Sequence, residues 1–307
     1  MSQSKNWTNY WQKEGAGGEV YVDKNGGKSP FLSHFWQKRF SLFNKDNETK
    51  KVIDIASGAG SIFVELPKEH SFELFAADVS SHALEQLNAR IDNVRTTVCS
   101  ANAIPFDDQY FDVVLSQFGI EYGGNAAFEE ATRLLNKGGE LVFLCHYEDG
   151  SIDSRNKIEL AGAYLVKEIK FVEKAISVTQ SAFSGDVEAF NKECDSFVEV
   201  EPKLAEFCQG HPNGVHAYLY SGFKKLFSQR KSYQEGDIVK WLEQMALEVD
   251  KSILRLKEMR KAALNVSDMQ NITQRMVSSG LRKVEFVPLN LPNNKLPLAW
   301  HLSAIRP

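Results

Sequence analysis

The sequence predicts an α/β fold: a doubly wound, mostly parallel sheet with an antiparallel last strand, plus an all-helical insertion. Short apolar runs alternate with helix-like segments across residues 51–146, as is typical of parallel β-α-β units with right-handed crossovers. Helix-like patterns alone occupy residues 150–264, and two strand-like runs follow near the end of the chain. These observations predict one sheet domain whose sequence is interrupted by a helical segment.

Seven apolar runs predict the strands of the sheet. They lie at residues 52–55, 72–77, 94–98, 113–116, 141–145, 283–287 and 298–305. The turn-like sequence Pro292-Asn293-Asn294 joins the last two runs. So short a connection favours an antiparallel pair.

Two long amphipathic helices are predicted in the insertion, residues 150–265, because apolar residues recur there at helical spacing. One stripe consists of Ile238, Leu242, Met245, Val249, Leu256, Met259 and Ala263, and the other of Ile158, Ala161, Leu165, Ile169, Val172, Ile176 and Phe183. We expect these stripes to pack together within the chain. A dimer interface is the alternative, so the chain is expected to be a monomer or a homodimer.

Aromatic residues are concentrated before the first strand, at Trp7, Tyr10, Trp11, Phe31, Phe35, Trp36 and Phe40. The glycines among them are Gly15, Gly17, Gly18, Gly26 and Gly27. Residues 1–44 therefore predict a helix, a glycine loop and a second helix. Such aromatics ordinarily pack against the sheet, and covering a pocket is the alternative role.

The strongest local signal for a ligand site is Val-Ile-Asp-Ile-Ala-Ser-Gly-Ala-Gly at residues 52–60, followed by helix-like residues 61–66. Small residues after a strand let the backbone turn sharply, so a ligand can approach main-chain N–H groups. Phe63 stands where a dinucleotide fingerprint needs its third glycine, and no phosphate-loop Gly-Lys-Ser/Thr is present. Asp78 ends the next strand and could bind ribose hydroxyls or cap the helix near Ser81.

Five motifs in family order make the chain resemble the class I S-adenosylmethionine-dependent methyltransferases over about residues 45–149 and 266–307. They are Asp54-x-Ala56-x-Gly58-x-Gly60, Asp78, Ser-Ala-Asn-Ala-Ile-Pro-Phe at 100–106, Tyr-Phe-Asp-Val-Val-Leu-Ser at 110–116 and Arg-Leu-Leu-Asn-Lys-Gly-Gly-Glu-Leu at 133–141. The resemblance implies a Rossmann-like domain that binds S-adenosylmethionine and releases S-adenosylhomocysteine. It implies nothing for the helical insertion.

The resemblance also implies which residues contact the cofactor. The methionine end is assigned to Asp54, Ala56, Gly58 and Gly60, the ribose to Asp78, the adenine to Ser100 and Ala101, and the region of the transferred methyl to Ser116 and Gln117; Ser57 and Val79 complete the set. Two positions depart from the family. Ala56 replaces a glycine, which is tolerable if its φ stays negative, and Ser100 replaces a carboxylate, which predicts a weaker adenine contact.

Methyl transfer mainly requires alignment of the acceptor and exclusion of water, so no metal is expected. A general base is needed where the acceptor is a hydroxyl or a protonated amine. Glu121 follows the fourth strand and His146 the fifth. Both are candidate catalytic residues, because ligands bind beyond the carboxyl ends of the strands. The alternative roles are a capping or solvent-facing Glu121 and a structural His146.

Charge and composition favour a small-molecule acceptor. The net charge is only −4, and no basic face indicates a nucleic-acid partner. The polar start, the lack of a stretch of about 20 apolar residues, and four separated cysteines predict a cytoplasmic protein without a membrane span or disulfide framework.

Two other functions remain open at this point: a protein or nucleic-acid methyltransferase, and a cofactor-binding protein without transfer activity. The helical insertion follows the fifth strand, at the edge of the sheet where the cofactor is expected. We therefore interpret it as a lid that selects the substrate, or as a dimerisation element.

Overall fold

A computed structural model describes Trp11, residues 29–45 and residues 48–307. The chain divides into two compact units. One unit comprises Met1–Asp153 and Ala262–Pro307, and the other comprises Ser154–Lys261.

The first unit contains a seven-stranded sheet, in the order β3-β2-β1-β4-β5-β7-β6 over the described residues. The strands are β1 Lys50–Ile55, β2 Phe72–Asp78, β3 Val94–Val98, β4 Phe111–Gln117, β5 Leu135–His146, β6 Arg282–Asn290 and β7 Pro297–Ile305. Strands β1 to β5 pair in parallel, whereas β7 pairs antiparallel with both β5 and β6. The predicted fold class and all seven predicted strands are therefore confirmed.

Helices pack on both faces of this sheet. They are α1 Pro30–Phe43, α2 Ser81–Arg90, α3 Gly124–Leu134 and α10 Val266–Ser278. Helices α3 and α10 share one apolar core with Ile53 and Phe75, while Phe40 of α1 contacts Phe72. Because side chains alternate along a strand, Phe72 and Phe75 lie on opposite faces.

The prediction of a helix immediately after the glycine turn is wrong. Residues 61–66 form turns and a 3₁₀ helix at Phe63–Glu65. Leu66 then has φ −58° and ψ 140°, because the following Pro67 disfavours helical geometry in the residue before it.

The helical insertion consists of six α-helices over the described residues. They are α4 Ser151–Glu168, α5 Phe171–Ser184, α6 Val187–Val198, α7 Glu201–Gly210, α8 Val215–Ser228 and α9 Glu235–Ala262. The long helix predicted from the stripe in α9 is confirmed. The single helix predicted across residues 158–183 is wrong, because it is broken between Glu168 and Phe171, where Lys170 has a left-handed φ of 53°.

The prediction that the stripe in α9 packs within the chain is confirmed for its first half, which lies in the core of the insertion. Ile238, Leu242, Met245 and Val249 are buried in one cluster with residues of α4, α5, α7 and α8. In α4 the buried face includes Ala163 and Val166, whereas the predicted Ala161 is exposed. Gly162 lies beside Ala163, and the ring of His216 packs so closely on it that a Cβ there would collide with Nδ1.

The second predicted N-terminal helix corresponds to α1, whose buried residues include Trp36 and Phe40. Trp7, Tyr10 and the five glycines of residues 15–27 lie outside the described residues. No described helix has the length and apolar character needed to cross a membrane.

Candidate functional site

A cleft opens at the carboxyl ends of the central strands of the first unit. Strands β1 and β4 are neighbours there, and the connections from them leave in opposite directions, which opens a crevice of the kind that binds ligands in doubly wound sheets. The cleft is lined by Trp11, Asp54, Ala56, Ser57, Gly58, Ser61, Ile62, Ala77, Asp78, Val79, Cys99, Ser100, Ala101, Asn102, Gln117, Phe118, Gly119, Tyr122 and Gly123.

The turn after β1 has left-handed backbone at three alternate positions. The φ angles are +55° at Ala56, +52° at Gly58 and +82° at Gly60. The condition under which Ala56 replaces the glycine without strain, a negative φ, is therefore not met. A left-handed alanine costs roughly 1–2 kcal/mol because its Cβ crowds the following carbonyl, so this turn is strained at the position where the family has glycine.

Two glycines allow the close contacts that shape the cleft. A Cβ on Gly58 would lie 2.5 Å from Cζ2 of Trp11, and a Cβ on Gly119 would lie 2.6 Å from the Cβ of Ala56 and 2.8 Å from its carbonyl oxygen. The indole of Trp11 thus packs on the glycine turn, and the loop after β4 packs on the strained residue.

Asp54 is a buried carboxylate that has no partner for either oxygen among the described residues. The residue is only 1% exposed and lines the cleft. Burial raises the pKa of Asp54 well above its ordinary value, and the nearby charge of Asp78 raises it further. Such a group is costly unless a cationic ligand group satisfies it.

Asp78 is also buried, but backbone N–H groups hold its carboxylate. The N–H of Gly58 donates to Oδ2 at 2.9 Å and the N–H of Ser80 donates to Oδ1 at 2.9 Å. Burial raises the pKa of Asp78, while these N–H groups act in the opposite direction. Asp78 does not cap helix α2. The cap is Ser80, whose Oγ accepts from Ala83 N at the start of the helix.

The residues after β3 form a second wall of the cleft. Ser100, Ala101 and Asn102 line it together with Cys99, and Asn102 N donates to Ser100 Oγ at 3.3 Å. The pKa of the Cys99 thiol is raised to about 11, by burial and by the charges of Asp78 and Glu130, so this thiol stays protonated near neutral pH.

Gln117 lines the cleft at the end of β4, whereas the neighbouring Ser116 does not. Ser116 Oγ donates to the carbonyl of Ile55 at 2.7 Å and accepts from Ile120 N at 3.1 Å, so it fastens β4 to β1. The Oε1 of Gln117 accepts from the indole Nε1 of Trp36 at 2.6 Å. Gly60 also lies outside the lining, where a Cβ would meet Leu87.

Glu121 and His146 form a buried pair that does not line the cleft. Glu121 Oε1 lies 2.6 Å from His146 Nδ1 and accepts from His146 N at 2.8 Å. Their side chains are 0% and 1% exposed. Glu121 Oε2 and His146 Nε2 have no partner among the described residues, and the His146 ring contacts those of Phe118 and Tyr122, which do line the cleft.

Sequence reasoning assigned no cofactor contact to several residues that line the cleft, among them Trp11, Phe118 and Tyr122. Phe118 and Tyr122 follow the fourth strand directly, so the position rule that selected Glu121 could have found them. Trp11 belongs to the aromatic segment for which covering a pocket was the alternative role, but its contact with Gly58 spans more than forty residues and could not be located from sequence.

Comparisons with known proteins agree with this geometry. Residues 52–139 match a family described as methyltransferase domain. This segment is therefore a methyltransferase domain by sequence, and its motifs are those of the class I S-adenosylmethionine-dependent enzymes. This methyltransferase domain contains the glycine turn and the walls of the cleft up to Gly123.

Individual relatives of the methyltransferase are distant. The chain is 29% identical over 155 residues to a ubiquinone/menaquinone biosynthesis C-methyltransferase of Rickettsia massiliae, covering 44% of this chain and 62% of the relative. It is 31% identical over 101 residues to a sarcosine/dimethylglycine N-methyltransferase of Aphanothece halophytica, covering 30% of this chain and 36% of the relative. The chain thus spans less than two thirds of the length of these relatives.

A solved structure from Methanococcus maripaludis aligns with this chain. It covers 100% of this chain and 97% of its own, at a TM-score of 0.45 and 16% identity. Among the described residues of the methyltransferase, no three or more His, Cys, Asp or Glu side chains group as metal ligands.

Proposed function

We propose that this chain transfers the methyl group of S-adenosylmethionine to a small-molecule acceptor. The observation that carries the proposal is Asp54, a buried carboxylate with both oxygens unpartnered among the described residues at the wall of the cleft. A carboxylate in this position suits the ammonium of an amino-acid group. The bound cofactor supplies an electrophilic methyl, and the protein supplies alignment and exclusion of water.

Other cleft residues fit the remaining parts of the same molecule. Asp78 retains lone pairs for ribose hydroxyls beyond its two backbone N–H donors. Ser100 and Ala101 offer polar groups for the adenine edge. Gly58 leaves room for the indole of Trp11, which packs on the turn and lines the cleft, because a side chain at this position would collide with that ring.

The charge of the cleft favours a neutral or cationic acceptor. Asp54 and Asp78 supply two buried carboxylates, and the described lining contains no Lys, Arg or His. A phosphorylated acceptor would meet unfavourable charge without a compensating cation. Both relatives above are named for small-molecule chemistry, one at carbon and one at nitrogen, which agrees with a small acceptor.

We further propose that Glu121 and His146, which do not line the cleft, position the side chains of Phe118 and Tyr122, which do. If His146 Nδ1–H donates to Glu121, Nε2 is left as an acceptor, the arrangement of a base oriented by a carboxylate. Because Phe118 and Tyr122 stand between this pair and the cleft, the burial favours positioning of those two side chains over direct proton transfer.

The helical insertion is proposed to select the acceptor. The chain leaves the sheet after β5, whose carboxyl end belongs to the ligand-binding edge, and returns at α10. Replacement of residues 151–265 by a glycine-serine linker should leave a folded protein that binds cofactor and has lost transfer to its acceptor. Full transfer by a folded, shortened protein would contradict this role and favour assembly.

The decisive experiment supplies methyl-labelled S-adenosylmethionine and a cell extract, then searches for labelled species by mass spectrometry. Wild type should label a metabolite, Asp54→Asn should label much less, and the exposed control Asp92→Asn should equal wild type. Labelled protein or nucleic acid would favour a macromolecular acceptor. Cofactor binding without any labelled product would favour a binding protein without transfer activity.

A further inference from the structure

Gln117 and Trp36 form a buried contact that fixes the orientation of an amide at the wall of the cleft. Trp36, on α1, is only 1% exposed, and its Nε1 lies 2.6 Å from Gln117 Oε1. An indole N–H can only donate, so the atom facing it must be the amide oxygen. The assignment of the two amide atoms therefore follows from chemistry.

The consequence is that the NH₂ group of Gln117 remains for another partner. No described residue accepts a hydrogen bond from Gln117 Nε2, although the residue lines the cleft. Asp54 pairs with Leu115 across β1 and β4, and Gln117 lies two residues farther along β4. Because alternate residues of a strand share a face, Gln117 and Asp54 lie on the same side of the sheet.

We propose that Trp36 is a positioning residue that holds Gln117 as a donor for the carboxylate of the cofactor's amino-acid end. Asp54 accepts from the ammonium of the same group, so one acceptor and one donor recognise opposite charges of a zwitterion. Without the indole, the amide could rotate and turn its oxygen toward the bound carboxylate. This inference rests on the proposed function, since it requires binding of S-adenosylmethionine.

Calorimetric titrations with three ligands distinguish binding of the ligand carboxylate from binding of the ligand ammonium, and they do not require turnover. S-adenosylhomocysteine carries both charged groups, S-adenosyl-3-thiopropylamine lacks the carboxylate, and 5′-methylthioadenosine lacks both. Gln117→Leu should weaken S-adenosylhomocysteine by about ten- to a hundredfold, the range for a lost hydrogen bond to a charged group. The same substitution should leave the two other ligands within about twofold.

Trp36→Phe keeps an aromatic ring and removes the N–H donor together with the five-membered ring that carries it. It should weaken S-adenosylhomocysteine by about fivefold, less than Gln117→Leu, because the amide is misoriented rather than lost. Phe40→Leu is the matched control, since Phe40 is buried on the same helix and has no group that can hydrogen-bond the amide. It should leave the ratio of affinities for S-adenosylhomocysteine and the thiopropylamine unchanged.

Gln117→Glu provides a test that does not depend on Trp36→Phe folding well. A glutamate can still accept from Trp36, but it brings a negative charge toward the ligand carboxylate. It should weaken S-adenosylhomocysteine most and bind the cationic thiopropylamine at least as tightly as wild type. Equal effects of the Gln117 and Trp36 variants on all three ligands would overturn the inference, whereas wild type that binds none of them would instead refute the proposed function.

Discussion

Asp54→Asn should separate the two consequences of placing an unpartnered carboxylate in the cleft. The substitution keeps the size of the side chain and removes its charge. In wild type that charge is buried without a partner among the described residues, so it destabilises the ligand-free protein. The same charge is proposed to hold the cofactor's ammonium. The variant should therefore be more stable without ligand and bind the cofactor less tightly.

The direction of the first effect and the size of the second follow from the chemistry of the site. Burial raises the pKa of Asp54 well above its ordinary value, so the ionised carboxyl destabilises the folded protein at higher pH and its neutral replacement should raise the ligand-free Tm. Loss of a charge-assisted hydrogen bond should cost about 1.5–3 kcal/mol, or roughly ten- to a hundredfold in affinity.

The gain in stability should depend on pH. The folded protein holds its Asp54 proton more tightly than the unfolded chain, so it binds more protons above pH 3.8, the ordinary pKa. Wild type thus loses stability as the pH rises from 3.8 through the raised pKa of Asp54. The asparagine of the variant cannot ionise, so the difference between variant and wild type should be small at low pH and should grow through this window. Asp78, whose pKa is also raised, is present in both proteins.

Differential scanning fluorimetry across pH measures the first effect, and titration with S-adenosylhomocysteine measures the second. Wild type should also release protons on binding below the raised pKa, detectable by calorimetry in buffers of different ionisation enthalpy. The Asp92→Asn variant controls for the change of residue type at an exposed site. An Asp54→Asn protein with unchanged ligand-free Tm at high pH and unchanged affinity would refute the reasoning.

Three other predictions test the strained turn and the buried pair. Ala56→Gly should remove about 1–2 kcal/mol of left-handed strain and add about 0.4–1 kcal/mol of unfolded-state entropy, so chemical denaturation should show it equal to or slightly more stable than wild type; a loss above about 1 kcal/mol would contradict this. Gly119→Ala should destabilise by about 1–3 kcal/mol through its contacts with Ala56, and adding Ala56→Gly should restore part of that loss in a double-mutant cycle. His146→Ala should cost about 2–5 kcal/mol, because it empties a buried site and takes away one of the two N–H groups that face Glu121 Oε1, while Glu121→Gln should cost much less because its carbonyl can still accept both N–H groups. A Glu121→Gln enzyme whose pH–rate profile loses one ionisation at normal stability would instead indicate direct proton transfer.

The sequence alone determined the parts of this protein that depend on local pattern. Alternating apolar runs predicted all seven strands, and the spacing of small residues after β1 located the ligand turn. The motif order identified the methyltransferase domain, which the family match over residues 52–139 bears out. Such features are readable because strand burial and glycine turns constrain residues that are neighbours in sequence.

Tertiary structure decided what depends on residues distant in sequence. Trp36 contacts Gln117 from 81 residues away, Trp11 reaches Gly58, and the ring of His216 packs on Gly162 of α4. Ala56 takes a left-handed φ because neighbouring strands and loops hold the turn in place. Glu121 and His146 both follow strand ends in the sequence, yet folding buries both behind the cleft. Sequence spacing predicts which residues lie at the carboxyl ends of the strands, but side-chain packing determines which of them line the cleft.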